Sequence, residues 1–438
     1  MSDYMFMLDS HLSGEQSKVL AEVRQAAERA NLNLFLTGGA MRDMMGGFPI
    51  RDLDFTVEGG STKFAKALAQ KAKAEIITLD ESRKCAELRF RGDVTVSISA
   101  ARQEKHGKPG AKPQVAPATI HEDLRGRDFT VNAIALSLGK ASRGLLLDPT
   151  NGLGDLSRKE LRTVSNYSLY DDPSRILRMI RFRTRLGFTV DERTLSQYQN
   201  VREAKLETKI PYTALERELG QIALDPLAGD ILKALEDEKL LYLISPALSG
   251  PKLNLQGFQK LHKARQMLPS GINIPVDNYA LFLFLLFEKL SSRERTQLLT
   301  TMHLPKARVD AAGRLESRAS KIEKALATAK LQRPSALYFM LSNVPGEILL
   351  FLLMRSGQRL VLDRIKNYLQ KYLPAAQEVT EKEVLERGAE PGTPKFVKLH
   401  QQMIAARLDA RPKKIIVEEP LPPAPLSGPG RRSASFGR

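Results

Sequence analysis

Up to about residue 150 the apolar residues of this 438-residue chain repeat with two periods in turn, and beyond residue 155 only one of them persists. A period of two marks strands and a period near 3.6 marks helices, so the chain must combine a strand-bearing first part with a long helical remainder. In the first part, "SGEQSKVLAEVRQAAERANL" reads as an amphipathic helix capped by Ser13, and "LNLFLTG" and "RDLDFTVEG" read as strands. Ser61 opens a further helix to about Ala74, "EIITL" is another strand, and "AELRFRGDVTVSIS" folds back at Gly92-Asp93. Residues 103–118, rich in Gly, Pro and Lys, read as a mobile loop. Helical spacing then fills 173–186, 212–224, 227–243, 255–267, 277–290, 314–329, 334–342, 346–370 and 394–409. The fold class expected is α+β: a mixed sheet with helices followed by an all-helical body.

Composition narrows the function classes. No apolar stretch reaches the roughly 18 to 20 residues of a membrane helix, and the first residues lack the pattern of an export signal, so a soluble, cytoplasmic protein is expected. The single Cys85 can form no internal disulfide and reads as a buried thiol. Lys and Arg outnumber Asp and Glu by 17, which points to a polyanionic partner, nucleic acid before membrane.

Three stretches carry chemistry. In "FLTGGAMRDMMGGFPIRDLDF", residues 35–55, Asp52 and Asp54 stand two apart on a strand and leave the same face. Two carboxylates so placed repel unless cations sit between them, and a pair of Mg²⁺ ions answers that need in an in-line displacement at phosphorus. Alone the pair is equally a solvated strand face. Gly38-Gly39 upstream lets backbone N–H groups approach phosphates, with Arg42 close by. In "EDLRGRDFTVNAIAL", residues 122–136, Arg127 can clamp a triphosphate or form a surface pair with Asp128. In "DDPSRILRMIRFRTRLGF", residues 171–188, Asp172 precedes Pro173 as a helix cap, and Arg175, Arg178, Arg181 and Arg185 fall on one stripe opposite Ile176, Met179 and Ile180. Such a stripe needs anions against it, and an acid with an arginine one turn on can read the edge of a base.

In this order the three stretches resemble the bacterial class II tRNA nucleotidyltransferase and poly(A) polymerase family of the polymerase-β-like superfamily, most clearly from about residue 32 to 190. The segment "EVLERGAEPGTPKFVKLHQQMIAARLDA", with Gly388, Pro391 and Gly392, is similar to the tail of CCA-adding members and favours the tRNA enzyme over the poly(A) polymerase. The resemblance implies a nucleotidyltransferase that builds the 3′-CCA of tRNA from CTP and ATP with Mg²⁺ and without a nucleic-acid template, releasing pyrophosphate. An A-adding or poly(A)-adding relative, or a weakened RNA-binding homologue, is the alternative. It further implies Asp52 and Asp54 as metal ligands, Gly39 and Arg42 at the triphosphate, Arg127 on the nucleotide, and Asp172 with Arg175 as the protein template. Arg178 and Arg181 would line the same pocket. The division expected is a head over 1–155, a neck over 156–245, a body over 246–375, a tRNA-binding tail over 376–417 and a disordered end over 418–438.

The chain departs from the family pattern at three places. Asp171 stands where Glu is usual, Gly126 where an arginine is usual, and Ser97 in "VSISAARQEKH" where a third carboxylate is usual. Glu87 or Asp93 could supply the missing charge. None of the six histidines precedes an aspartate, so no phosphohydrolase module of the HD type is expected.

Overall fold

The computed structural model describes residues 3–269, 271–272, 274–328 and 331–410. The expected disordered end, 418–438, lies outside them, as do residues 411–417 of the expected tail. Seven strands form the main sheet of the head: β1 (Asn33–Thr37), β2 (Leu53–Glu58), β3 (Glu75–Asp80), β4 (Cys85–Arg89), β5 (Thr95–Ala100), β8 (Ala135–Ser137) and β9 (Leu146–Leu147). Their order is β3-β4-β5-β2-β1-β8-β9, with β2 and β5 parallel and every other neighbouring pair antiparallel.

Alternation decides which face is wet. On β2, Leu53, Phe55 and Val57 enter the main core with Val96 and Ile98 of β5 and Ala86 and Leu88 of β4, behind which pack the helices Gly14–Arg29 and Ser61–Ala72. The residues between them, Asp54, Ser97 and Glu87, are half-buried on the other face. β1 is covered on both faces, because Phe35 packs away from Leu34 and Leu36 against Ile120 and Leu124 of a short helix, Ile120–Arg125. The turn between β4 and β5 holds Gly92 at φ 76° and Asp93 at φ 60°, the left-handed pair that a tight hairpin requires.

Several local expectations change. Residues 103–118 are not a mobile loop. Arg102–Lys105 (β6) and Gln114–Pro117 (β7) pair in register as a second hairpin, and the Gly110 N–H at its tip donates to the Asp171 carbonyl at 3.4 Å. Ser13 caps its helix with a full capping box to Gln16, whereas Ser61 lies inside its helix and donates to the Lys84 carbonyl. The 346–370 stretch breaks at Ser356 into Gly346–Arg355 and Arg359–Asn367.

One apolar core runs from Leu8 through the neck helix Arg175–Leu186, where Phe182 meets Phe129 of the head edge-on at 6.0 Å, and on to Leu369 in the body. The last helix, Pro394–Asp409, instead packs on two small clusters of its own, around Ala375, Ala376, Val379, Ile404 and Leu408, and around Val384, Ala389 and Phe396. Asp409 at its end accepts from the N–H and hydroxyl of Ser335, at 3.0 and 2.7 Å. Among the described residues no single helix is long and apolar enough to cross a membrane.

Gly152 meets the segment that follows Arg127 so closely that a Cβ there would lie 2.1 Å from the Thr130 carbonyl oxygen. Gly152→Ala is expected to destabilise the head by about 2 kcal/mol or more, read as a lowered midpoint in a denaturant melt.

Candidate active site

β1 ends at Thr37, and Gly38 turns the chain at φ 61° directly into the helix Gly38–Met45. The Thr37 side chain does not cap this helix, which leaves its first N–H groups facing the wet side of the sheet. One of them, on Ala40, donates to Asp54 Oδ2 at 3.3 Å. A Cβ at Gly39 would lie 2.9 Å from that same oxygen, so only glycine lets the turn pass over the acid. Asp52 lies just ahead of β2 at the rim, with part of its surface open while protein surrounds its carboxyl.

The electrostatics of this pair are strained. Burial, and then the neighbouring Asp52 charge, push Asp54 up to about 6, against the pull of the Ala40 N–H, Arg42 and Arg127. Asp52 is raised as well, by burial and by Asp43, with Arg51 opposing. Two carboxylates that resist ionising together form an oxygen donor set suited to a hard divalent cation, and Asp52 and Asp54 can hold one with water completing its shell. Among the described residues no three His, Cys, Asp or Glu side chains converge as a metal cage.

The arginines are held by the protein itself. Arg127 grips Asp123 Oδ2 through Nε and Nη2 at 3.0 and 2.9 Å, and reaches Thr56 Oγ1 and the Asn132 carbonyl at 3.0 Å each. Its Nη1 would lie 3.4 Å from a Cβ on Gly38, which sets it against the glycine turn. Arg42 is buried beneath that turn, bonded to Asp43 Oδ1 and Asn132 Oδ1, with its guanidinium over the Phe182 ring.

On the neck helix, the anions that the arginine stripe requires are carboxylates of this chain. Glu218 accepts from Arg178 Nε at 3.1 Å and Arg181 Nε at 3.0 Å, while Asp128 accepts from Arg178 Nη1 at 2.8 Å. Arg185 pairs with Asp43 at 3.0 Å and lies 3.7 Å from Asp225. Burial opposes ionisation of Asp128, but Arg178 and Arg175 hold it far below the usual carboxylate range. Burial likewise opposes a charged Glu218, and Arg181 and Arg178 reverse that. The bare charge of the stripe was legible; its partners, 37 to 142 residues away, carried no local signal.

Asp172 and Arg175 come together as expected. The helix proper begins at Arg175, and Asp172 Oδ1 closes the turn before it by accepting from the Ser174 N–H and hydroxyl at 3.0 and 2.6 Å. Asp172 Oδ2 stands 3.8 Å from Arg175 Nε, and Arg175 donates to Ser168 Oγ and to the carbonyls of Gly126 and Arg127. Arg175 therefore joins Asp172 to the segment carrying Arg127. Sequence reasoning missed Arg217. It stands on the helix Tyr212–Leu224, where surrounding protein, Arg83 and Arg178 lower it, while Glu218 and Asp172 act the other way. It adds positive potential beside Asp172.

The glycine turn, the acid pair and Arg127 occur together in a known module. Residues 34–162 match the model of the poly A polymerase head domain. Over that stretch the chain is similar to the poly A polymerase head domain. The chain is 28% identical over 344 residues to an A-adding tRNA nucleotidyltransferase of Aquifex aeolicus, covering 78% of this chain and 40% of that protein. A CC-adding tRNA nucleotidyltransferase of Deinococcus radiodurans is 38% identical over 153 residues, 35% of this chain and 41% of its own. The chain thus spans less than half the length of these relatives. The whole fold resembles a solved CCA-adding enzyme in an apo form, with a TM-score of 0.53 at 22% identity over 94% of this chain and 96% of that one. The stretch similar to the poly A polymerase head therefore sits on a helical remainder whose shape is also known.

Two outcomes follow from the charges. The folded state disfavours ionised Asp54, so this group's contribution to stability falls as pH rises from the ordinary aspartate range through about 6, and above that the penalty is complete. Asp54→Asn is expected to raise the melting temperature of the metal-free protein at pH 8, by the equivalent of up to about 3 kcal/mol, with the gain vanishing near pH 4. Glu218→Gln leaves buried Arg181 without its anion, while half-buried Arg178 keeps Asp128, and is expected to cost about 3 kcal/mol in a denaturant melt.

Proposed function

We propose that the chain transfers nucleotides from CTP and ATP to the 3′ end of tRNA, building or repairing the CCA terminus. One observation carries the reading: a single arginine, Arg127, lies against the Gly38 turn beside Asp54 and also offers its carbonyl to Arg175, so the acid pair and the base-reading pair share one cleft. Supporting it are the likeness to the poly A polymerase head and the names of the relatives.

In this cleft Asp52 and Asp54 would hold Mg²⁺, which supplies charge neutralisation on the phosphoryl oxygens of the incoming nucleotide and its pyrophosphate leaving group. Gly39 and the uncapped start of its helix receive the triphosphate, with Arg127 alongside and Arg42 bracing the turn from below. Asp172 accepts from an exocyclic amine while Arg175 donates to ring acceptors, a pattern that C and A present to a fixed acid and arginine pair. Arg178 and Arg181 reach this pocket from beneath, each with its Nε committed to Glu218. The division into head (1–155), neck (156–245), body (246–375) and tail (376–417) belongs to the same reading, with the tail and the excess of 17 positive charges serving tRNA.

A second reading is A-only addition. The relatives with long coverage of this chain, 78% for the Aquifex aeolicus protein and 93% for one from Geobacter sulfurreducens, are named A-adding enzymes. Purified protein with labelled CTP and ATP separates the two. Addition of two C and one A to tRNA lacking its last three nucleotides is expected. Extension only of tRNA already ending in CC moves the assignment to A addition, and no extension of either removes the tRNA reading. Asp52→Asn is expected to lower the rate by several orders of magnitude while tRNA affinity, measured by filter binding, stays within about twofold.

A further inference from the structure

The wet face of the sheet is ruled by strand register. Asp54 on β2 pairs with Ser97 on β5, and Ser97 pairs with Glu87 on β4. The next row, Thr56, Ser99 and Cys85, shows which way these side chains point, because the Thr56 and Ser99 hydroxyls meet at 3.4 Å and Thr56 also bonds Arg127. Asp54, Ser97 and Glu87 therefore stand side by side on the site's face. Neighbouring strands are about 4.8 Å apart, so the Glu87 backbone is about 9.6 Å from that of Asp54, with only the short Ser97 side chain between them.

Glu87 is half-buried and has no hydrogen-bond or ion-pair partner among the described residues. Burial, and then the charge of Asp52 ahead of β2, raise it, while Arg89 and Arg308 act the other way from beyond ion-pair distance. The other acid near Ser97, Asp93, is in the hairpin turn four residues away and pairs with Arg89 at 3.5 Å. That removes Asp93 from the row.

We infer that Glu87 is the third carboxylate of this site, placed one strand further out than Ser97 and acting on the acid pair's side through a bridging water. The inference rests on the nucleotidyl-transfer reading. In the reaction the primer 3′-oxygen forms a bond to the α-phosphorus, the bridging bond to the β-phosphate breaks, and pyrophosphate leaves with that electron pair. The hydroxyl proton passes through the water to the Glu87 carboxylate. A glutamate in place of an aspartate and a serine directly between them are then one arrangement: the short Ser97 side chain leaves the space that the water fills.

The test uses the full chain, with Mn²⁺ as the metal probe followed by electron paramagnetic resonance, and turnover on tRNA followed separately. Glu87→Gln is expected to weaken Mn²⁺ binding threefold or more and to lower turnover at least tenfold, with the KM for nucleotide within about twofold. Adding Ser97→Asp to Glu87→Gln is expected to restore most of both, whereas Ser97→Asp alone crowds the row with charge and does not raise turnover. Wild-type Mn²⁺ affinity and turnover in Glu87→Gln, or faster turnover in Ser97→Asp alone, overturns the inference and leaves the reaction standing. An inert wild-type protein whose Mn²⁺ affinity still falls in Glu87→Gln removes the reaction and keeps Glu87 beside the metal.

Discussion

The segment carrying Arg127, the helix Arg175–Leu186 and the helix Tyr212–Leu224 are fixed to one another by Arg178. Its guanidinium is held at one end by Asp128, in the segment that also carries Arg127, and at the other by Glu218, on the helix Tyr212–Leu224. Buried charges of this kind add little net stability against an apolar substitute, yet they are unforgiving about geometry, because losing one partner strands the others in low dielectric. The arrangement therefore contributes position rather than strength. Arg175, one turn earlier on the same helix, inherits that position, and so do the carbonyls of Gly126 and Arg127 to which it donates. Asp172 and Arg175 so held cannot drift relative to the acids on the sheet, a fixity that the proposed reading of a base by hydrogen bonding requires.

The acid pair shows the opposite use of charge. Asp54 lies under a glycine turn with only one backbone N–H bonded to it, and Asp52 close by makes its ionised form still less favourable. A protein selected for stability alone would not keep two acids there. The strain is local, since Leu53 and Phe55 on either side of Asp54 are fully buried in the core, so the strand stays rigid while the acid it presents is poised for a cation.

Much of this was legible along the chain, and the reason differs by element. Alternation placed β2 and, with the Gly92-Asp93 turn, the β4–β5 hairpin, because a sheet with one wet face imposes it there, whereas β1 and β3 were read from short apolar runs. Gly38-Gly39 followed by two aspartates two apart marked the site, since each type has a physical reason to be there. The hairpin of β6 and β7 was hidden by Gly, Pro and Lys, which say loop, although only its tip is one; its ladder is secured by pairing that has no apolar signature. The anions facing the arginine stripe were also invisible. Asp43, Asp128, Glu218 and Asp225 are ordinary acids in sequence, and only the tertiary path brings them to Arg178, Arg181 and Arg185. The register that sets Glu87 beside Ser97 follows from the Gly92-Asp93 turn, so that neighbour was readable in outline but its role was not.

The separate small clusters under the final helix give the chain two scales of cooperativity. The core from head to body is one continuous body, and local opening within it disturbs everything it touches. Pro394–Asp409 is joined by a handful of apolar side chains and by Asp409, which caps the Ser335 end of a body helix. That makes it a foldon of its own, whose free energy of release is set by a modest apolar patch, the Asp409 bonds to Ser335, and the contacts of Arg407 with Glu378 and His400 with the Val379 carbonyl, rather than by the global stability. Such an element can unlatch and relatch many times while Asp52, Asp54 and Arg127 keep their places, so the far end of the molecule is free to adapt to the outline of whatever lies along it without loosening the site.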